Sequence, residues 1–305
     1  MRSIVIALGG NALLSPSSKQ SFTKENSNIE KVSRAIASLS KRDFNMIITH
    51  GNGTQIGDEV MRNEHSKEFI PKLPFFVLNA ATQAILGTVV ETSLRNNLKR
   101  VGSKRGVCTV LSHVIVDSND RAFKNPSKQI GPFYSKAELD KELRLERFDY
   151  IKYGNKYRRV VASPMPVSIL ETDVIKSEMN RNIVVACGGG GVPIVSKRGM
   201  ISGVEAVIDK DLTSRLLANS IGADTLIILT NADYVYSNYQ QKGIKIKSVK
   251  ASVIKRHIGM FEMGTIRPKI EACVGFIESG GKEAYIGNVF ELRSILEGKS
   301  GTRIS

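Results

Sequence analysis

The length, composition and charge of the chain limit what it can be. Its 305 residues can bury a large core and lie near the size at which one core begins to divide into two. Hydrophobic residues make up 41% and charged residues 24% of the chain, which excludes a disordered protein and predicts a packed globular one. The net charge of +15 would suit a nucleic acid, but the positive residues are scattered, aromatic residues make up only 6% and Trp is absent. Because no RNP motif, zinc finger or basic-region helix is present either, nucleic-acid binding is not expected as the main role.

The amino-terminal residues and the cysteines favour a cytoplasmic protein. The apolar run Ile4–Leu8 ends at Gly9 and is too short for a signal peptide or a membrane span. The cysteines, Cys108, Cys187 and Cys273, lie far apart and form no CxxC pair, so neither a zinc site nor a disulfide framework is predicted. We interpret them as buried free thiols in a reducing compartment, and we expect no association with a membrane.

Apolar runs alternate with helical patterns along the chain. Continuously apolar runs are typical of parallel strands that are covered on both faces. The runs are Ile4–Leu8, Met46–Thr49, Val107–Leu111, Ile183–Cys187, Leu226–Leu229 and Ala284–Ile286. Helical spacing of apolar residues is found at Ile29, Val32, Ile36 and Leu39, at Ile85, Leu86, Val89 and Val90, and at Leu212, Leu216, Leu217 and Ile221. This alternation predicts an α/β sandwich with a mostly parallel sheet, which would bind ligands at the carboxyl ends of its strands.

Residues 120–166 interrupt this alternation. They are rich in Lys, Arg, Tyr and Pro and contain only one weakly amphipathic segment, Lys136–Leu145. We therefore expect one domain over residues 1–305, in which residues 120–166 form an inserted, lid-like lobe. Further along, Lys197-Arg198-Gly199 predicts a turn between short strands at Pro193–Ser196 and Met200–Ala206.

Three glycine clusters each follow a predicted strand. They are Gly9-Gly10-Asn11, Gly51-Asn52-Gly53 and Gly188–Gly191. Glycine lets backbone N–H groups approach an anion closely, and a following helix adds its positive end. Any single cluster is more typical of a tight turn between a strand and a helix. The three clusters together, at one edge of the sheet, predict a site for a polyphosphate.

Familiar nucleotide-binding motifs are absent. The P-loop pattern fails because Arg293 stands where the first glycine should precede Gly298-Lys299-Ser300. The dinucleotide fingerprint fails because three residues, instead of two, separate Gly53 from Gly57. No HRD or DFG motif is present, so the chain is not of the protein-kinase type.

Several strings along the chain carry a resemblance to one enzyme family. They are Ala7–Ala12 (ALGGNA), His50–Gly53 (HGNG), Asn125–Lys128 (NPSK), Gly131–Tyr134 (GPFY), Gly188–Pro193 (GGGGVP), Val204–Asp211 (VEAVIDKD), Asp233–Tyr236 (DYVY), Pro268-Lys269 and Gly301-Thr302. In this order they closely resemble the carbamate kinases of the amino-acid kinase superfamily, and the likeness spans almost the entire chain. The resemblance implies a three-layer α/β/α sandwich with a mostly parallel central sheet and a small protruding subdomain. It also implies a homodimer that transfers a phosphoryl group reversibly between ATP and carbamate, giving ADP and carbamoyl phosphate, with Mg²⁺ accompanying the nucleotide.

The resemblance also implies roles for individual residues. The acceptor and the transferring phosphoryl group would be bound by Gly9, Gly10, Asn11, Gly51, Asn52 and Gly53. Lys128 would reach in from the lobe, Lys210 and Lys269 would contact the ATP phosphates, and Asp211 would hold the lysines in place. The nucleotide side would be completed by Gly188, Gly189, Gly190 and Tyr236, with Tyr236 or a neighbour in the loop after Leu229 near the adenine.

These roles suit phosphoryl transfer, which needs mainly alignment and positive charge over the equatorial oxygens. Carbamate is already an anionic nucleophile, so no general base is expected and His50 is interpreted as a structural residue. No protein ligands for a metal are predicted. Asp209 is equally consistent with a helix cap and with a functional role.

Four residues depart from the family pattern. Thr54 replaces a usual proline, Phe76 an acidic residue, Asn79 a glycine and Arg267 a glycine. These changes leave two alternatives open: a kinase that acts on another small carboxylate-like acid, and a catalytically silent nucleotide-binding homologue.

Overall fold

An eight-stranded sheet forms the centre of the protein. The structure, a computed structural model, describes residues 1–9, 22–142, 148–237, 243–262 and 265–305; the predicted site residues Gly10 and Asn11 lie outside these ranges. The strands are β1 Arg2–Leu8, β2 Phe44–His50, β3 Gly106–Val110, β4 His113–Val116, β5 Lys128–Tyr134, β6 Asp149–Tyr153, β7 Lys156–Val161, β8 Pro166–Ile169, β9 Asn182–Ala186, β10 Val192–Lys197, β11 Met200–Gly203, β12 Thr225–Thr230, β13 Val235–Tyr236, β14 Lys245–Ile246, β15 Ser248–Val249, β16 Glu283–Asn288 and β17 Thr302–Ile304. The central sheet has the order β15-β17-β16-β12-β1-β2-β9-β3, and every neighbouring pair except β16 and β17 is parallel.

Each of the six predicted apolar runs corresponds to a strand of this sheet, which confirms the mostly parallel arrangement. Two runs extend one residue past their strands: β3 stops at Val110, before Leu111, and β9 stops at Ala186, before Cys187. Cys187 has a φ of 53°, a left-handed conformation that cannot continue a strand. The turn predicted at residues 197–199 is also present, since β10 and β11 pair antiparallel on either side of Arg198 and Gly199.

Helices cover both faces of the sheet. They are α1 Phe22–Leu39, α2 Gly53–His65, α3 Phe75–Arg100, α4 Lys136–Glu142, α5 Thr172–Glu178, α6 Lys210–Ile221, α7 Ala251–Arg256, α8 Arg267–Glu278 and α9 Leu292–Leu296. Alternate side chains of each central strand enter different cores: Val5 and Ala7 pack with α6 and α8, whereas Ile4 and Ile6 pack with α1, α3 and α9. Apolar residues on both faces explain why the runs are continuous, and the three-layer α/β/α sandwich is confirmed.

Helix α3 is long and apolar enough to span a membrane by length and composition alone. Such a test is also passed by core helices of soluble proteins, and here α3 packs against α1 and β3. Four of its buried side chains are polar, namely Asn79, Thr82, Gln83 and Asn97. Each of them has hydrogen-bond partners inside the protein, so α3 has the surroundings of a core helix.

Residues 120–166, the predicted lobe, contain a three-stranded antiparallel sheet of order β5-β7-β6 and helix α4. Helix α4 covers part of the predicted segment Lys136–Leu145, and residues 143–147 lie outside the described residues. The sheet approaches the body where Gly131 of β5 faces Gly57 of α2. A Cβ atom added to Gly57 would overlap the backbone of Gly131, so this contact requires glycine. The lid-like role of the lobe remains a prediction.

The Gly57 contact can be tested by Gly57→Ala. A glycine-to-alanine change in a helix normally stabilises it, but here the added methyl must push β5 away from α2. We expect a loss of roughly 1–3 kcal/mol in the free energy of unfolding, measured by urea titration. Gly259→Ala is the matched control, because a Cβ there meets open space. Equal stability of the two variants would contradict the contact.

His50, the last residue of β2, is a buried group at the carboxyl edge of the sheet. Its ring is 1% exposed, contacts Gly188, and lies 3.3 Å through Nδ1 from the carbonyl oxygen of Gly51. Burial lowers the pKa of His50 from 6.5 to about 4, so the folded protein keeps the ring neutral at pH 7. Because a carbonyl can only accept, Nδ1 carries the hydrogen in this bond.

This burial predicts a pH-dependent stability. Below pH 6.5 the unfolded chain protonates His50 while the folded protein does not, so stability falls as the pH drops towards about 4. Between about pH 7 and about pH 5, His50 should account for a loss of about 2 kcal/mol, which His50→Gln would remove. The exposed His65→Gln is the control, and urea titrations at both pH values are the measurement. A His50→Gln protein with the wild-type pH dependence would refute this assignment.

Candidate active site

The carboxyl ends of three neighbouring strands place Gly9, Gly51–Gly53 and Gly188–Gly191 at one edge of the sheet. Strands β1, β2 and β9 lie side by side and run parallel, so the loops that follow them meet at one edge of the sheet. The N–H of Gly51 donates to the carbonyl of Leu8 at 3.1 Å, which joins the loop after β2 to the end of β1. A Cβ added to Gly189 would overlap the side chain of Asn52, so the second and third loops touch.

The loop after β9 has a conformation that only glycine adopts freely. Gly189, Gly190 and Gly191 have φ values of 65°, 92° and 84°. A Cβ on Gly190 would also overlap the carbonyl oxygen of Ile208, within the VEAVIDKD string. The hydroxyl of Thr213 donates to the carbonyl of Gly190 at 3.0 Å and fixes this loop to helix α6.

A buried carboxylate holds two lysines beside these loops. Lys269 Nζ lies 3.0 Å from Asp211 Oδ2, and Lys210 Nζ contacts Asp211 Oδ1. Only 3% of the Asp211 side chain is exposed, against 11% for Lys210 and 18% for Lys269. Lys210 and Asp211 begin helix α6, and Lys269 lies in the first turn of α8 behind Pro268, a residue suited to a helix start. Two helix starts therefore place three predicted site residues in one cluster.

The charges in this cluster depend on one another. Burial would raise the pKa of Asp211, but Lys210 and Lys269 lower it, and the net direction is well below the usual value. Burial lowers the pKa of Lys210 more than Asp211 raises it. For Lys269 burial also acts to lower the pKa, yet attraction to Asp211 reverses the direction and the pKa is raised. Asp211 is ionised at neutral pH and keeps two ammonium groups near one point.

Lys128, at the start of β5, reaches from residues 120–166 to the body of the protein. Its Nζ lies 2.5 Å from Oδ2 of Asp209. The other oxygen of Asp209 accepts a hydrogen bond from the N–H of Asp211 at 2.9 Å, which caps helix α6. Burial would raise the pKa of Asp209, but Lys128 lowers it. Asp209 therefore caps the helix and also pairs with Lys128, and its functional role remains a prediction.

Tyr236, in β13, follows strand β12 of the central sheet. Its hydroxyl donates to Asp233 Oδ1 at 2.8 Å, and Lys245 Nζ lies 3.2 Å from Asp233 Oδ2. The hydrogen bond to Asp233 raises the pKa of Tyr236. The tyrosine is thus held in a polar network at the carboxyl end of the sheet, and its place near the adenine remains a prediction.

The four departures from the family pattern have different surroundings. Asn79 is fully buried and accepts a hydrogen bond from Asn52. Phe76 packs against Gly203 of β11, and Arg267 Nε pairs with Glu271 at 2.9 Å, one turn along the same helix. Thr54 is the second residue of α2. Packing against Gly203 explains the apolar side chain of Phe76, and the charge that Arg267 adds is paired with Glu271.

Sequence reasoning missed a set of polar residues that lies beneath the loops. Gln83 exchanges two hydrogen bonds with the backbone of Ser112, at 3.1 and 3.2 Å. The hydroxyl of Ser112 accepts from the N–H of Cys187 at 2.9 Å, immediately before the third glycine cluster. The one available signal was a polar stripe of Asn79, Thr82 and Gln83 within the apolar pattern of α3.

The sequence is similar to those of known kinases. The sequence profile described as the amino acid kinase family matches residues 2–288. Carbamate kinase from Pyrococcus furiosus is 39% identical, over 99% of this chain and 98% of that protein. Carbamate kinase 2 from Staphylococcus aureus (strain bovine RF122 / ET3-1) is also 39% identical, with the same shares of both chains.

Solved structures give the same result. Carbamate kinase from Giardia lamblia bound to AMP-PNP superposes with a TM-score of 0.91 at 33% identity, covering 99% of this chain and 98% of that one. A crystal structure from Aeropyrum pernix K1 reaches a TM-score of 0.93 at 38% identity, covering 99% of both chains. With a matching profile, full-length relatives and a shared fold, the chain belongs to the amino acid kinase family and, within it, to the carbamate kinases.

Proposed function

We propose that the protein catalyses reversible phosphoryl transfer between ATP and carbamate, giving ADP and carbamoyl phosphate, and that it works mainly in the direction that makes ATP. The observation that carries this proposal is the buried cluster of Lys210, Asp211 and Lys269 beside the two touching glycine loops at Gly51–Gly53 and Gly188–Gly191. A site of this kind offers positive charge and backbone N–H groups without any group that must accept a proton.

The charged residues and the glycine loops would have different roles in the transfer. In the ATP-forming direction, an oxygen of the ADP β-phosphate attacks phosphorus as the bond to the carbamate oxygen breaks. Lys210 and Lys269 would stabilise the charge on the transferring group, and Asp211 would keep the two ammonium groups aligned. The loops at Gly9 and Gly51–Gly53 would bind the phosphoryl group of carbamoyl phosphate, and the loop at Gly188–Gly190 would lie on the nucleotide side.

Mg²⁺ would enter as part of the nucleotide substrate. Within the described ranges, His, Cys, Asp and Glu form no group of three or more that could hold a metal ion. Mg²⁺ in kinases is bound largely through substrate phosphates and water, so it needs no cage of protein ligands. Binding of Mg²⁺ through the nucleotide is consistent with the pairing of Asp211, because both of its carboxylate oxygens are engaged by lysines.

Lys128 and the lobe would complete the site. We expect residues 120–166 to act as a lid that brings the Lys128 ammonium group to the phosphoryl group and excludes water.

The enzyme would act in the cytoplasm, since Cys108, Cys187 and Cys273 are all free thiols. No role in nucleic-acid binding is proposed.

The proposed activity predicts the effect of Lys210→Ala. Loss of one charged donor to the transferring phosphoryl group should lower kcat by about 10²–10³-fold. The measurement is coupled ATP formation from ADP, Mg²⁺ and carbamoyl phosphate, corrected for spontaneous breakdown of carbamoyl phosphate. Lys41→Ala, an exposed lysine next to the amino end of β2, is the matched control and should retain full activity.

Both variants must first be shown to be folded, by circular dichroism and thermal unfolding. Full activity of folded Lys210→Ala would refute the assigned site. Absence of ATP formation by the folded wild-type protein would refute carbamate as the acceptor and would favour another small acid or a silent homologue.

We further propose that the protein is a homodimer. Large apolar side chains are exposed on β11, at Met200 and Ile201, and on β8, at Val167, and these are the outer strands of the four-stranded sheet β11-β10-β4-β8. Exposed apolar edges of this kind are typical of surfaces that pair with another chain. Light scattering coupled to size exclusion should give twice the chain mass of 33.5 kDa. A mass of one chain at micromolar concentration would rule the dimer out.

A further inference from the structure

We infer that Asn79 is a positioning residue for the phosphoryl site. It holds the side chain of Asn52 away from the start of helix α2, so that the backbone N–H groups there remain available to an anion. This inference rests on the proposed function. It concerns a residue that lies wholly beneath the site and has no exposed surface of its own.

A chain of buried hydrogen bonds fixes the orientation of each group. The hydroxyl of Thr82 donates to the carbonyl of Asn79 at 2.7 Å, so its oxygen can only accept from Nδ2 of Asn52, at 2.8 Å. The second hydrogen of Asn52 Nδ2 points to Oδ1 of Asn79, at 2.9 Å. Both donors of the Asn52 amide are therefore used, and the three side chains are at most 2% exposed.

Asn79 also contacts the third glycine loop. With its oxygen engaged by Asn52, its Nδ2 faces the carbonyl oxygen of Gly191 at the longer distance of 3.4 Å. The Asn52 amide lies directly against the Cα of Gly189, in the same loop. One side chain of α3 thus contacts the loop after β2 and the loop after β9, which are the two sides of the proposed phosphoryl transfer.

The orientation of the Asn52 side chain affects the start of helix α2. Asn52 occupies the position before the helix, where asparagine normally accepts a hydrogen bond from the first turn and caps it. Here the Asn52 side chain does not cap α2, because its amide is turned inward to Asn79 and Thr82. Asn52 therefore leaves the N–H of Thr54, at the second position of the helix, without the hydrogen bond that a capping asparagine would accept. An uncapped helix start is where backbone N–H groups bind a phosphate best.

Asn79→Leu tests this inference, because leucine is similar in size but cannot accept from Asn52. The freed Asn52 amide can then turn to cap α2 and compete with the phosphoryl group. We expect kcat for ATP formation to fall by roughly 10- to 100-fold, as for a weakened donor to the transferring group. The KM for ADP should change by less than about 2-fold, since the nucleotide is bound mainly elsewhere.

Asn97→Leu is the matched control. Asn97 is equally buried on the same helix, but it bonds to Glu30 and Ser93, at the far end of α3. It should lower the thermal unfolding temperature as Asn79→Leu does, while kcat stays within about 2-fold of wild type. A similar loss of kcat in both variants would show a general packing effect and would overturn the inference.

The double variant Asn79→Leu, Asn52→Ala separates the mechanism further. If Asn79 acts through the Asn52 side chain, the double variant should be no slower than Asn79→Leu alone. Additive losses of kcat would mean that the two residues act independently, and would count against the inference.

Hydrogen exchange distinguishes failure of this inference from failure of the proposed function. In the ligand-free protein, the amide of Thr54 should exchange more slowly in Asn79→Leu than in wild type, because Asn52 then caps it. This readout needs no activity, so it holds even if carbamate is not the acceptor. An unchanged exchange rate at Thr54 would overturn the inference, whatever the enzyme assay shows.

Discussion

The site depends on one buried carboxylate that pairs with two ammonium groups and offsets part of their charge. Isolated lysines would not remain charged at the depth of Lys210 and Lys269, because removal of an ammonium group from water is costly. Asp211 lies between them and makes both charges tolerable. The helices α6 and α8 must therefore start at neighbouring points of the sheet edge, and the packing of α6 on β1 and β12 and of α8 on β12 and β16 maintains that geometry.

The fold was largely predictable because its signals are local. Runs such as Ile4–Leu8 and Ile183–Cys187 are apolar on both faces, and only a sheet covered on both sides explains such a pattern. The position of the glycine clusters also followed from topology, since parallel strands end at one edge. The three-stranded sheet within residues 120–166 was not predicted. Its strands are short and charged, and their pairing across β5, β7 and β6 leaves no periodic signal in the sequence.

The candidate site was predictable only in part, and mainly through the resemblance. Lys128, Lys210 and Lys269 are three of many lysines, and nothing in their own spacing indicates that their ammonium groups face Asp209 and Asp211. The hydrogen bonds of Asn79, Thr82 and Gln83 join residues that are distant in sequence, and their directions depend on rotamers. Sequence identified Asn79 as unusual, but only the structure places it between two loops.

The bond between Lys128 and Asp209 has a consequence for turnover. Lys128 belongs to the three-stranded sheet and Asp209 to the start of α6, so its ammonium group is already partly out of water before any substrate arrives. An incoming phosphate would replace the carboxylate of Asp209 as the partner of Lys128, and would not have to remove water from a fully hydrated ammonium group. Part of the dehydration of that charge then belongs to the folding of the protein, and, if Lys128 acts as proposed, each catalytic cycle would transfer it from one anion to another.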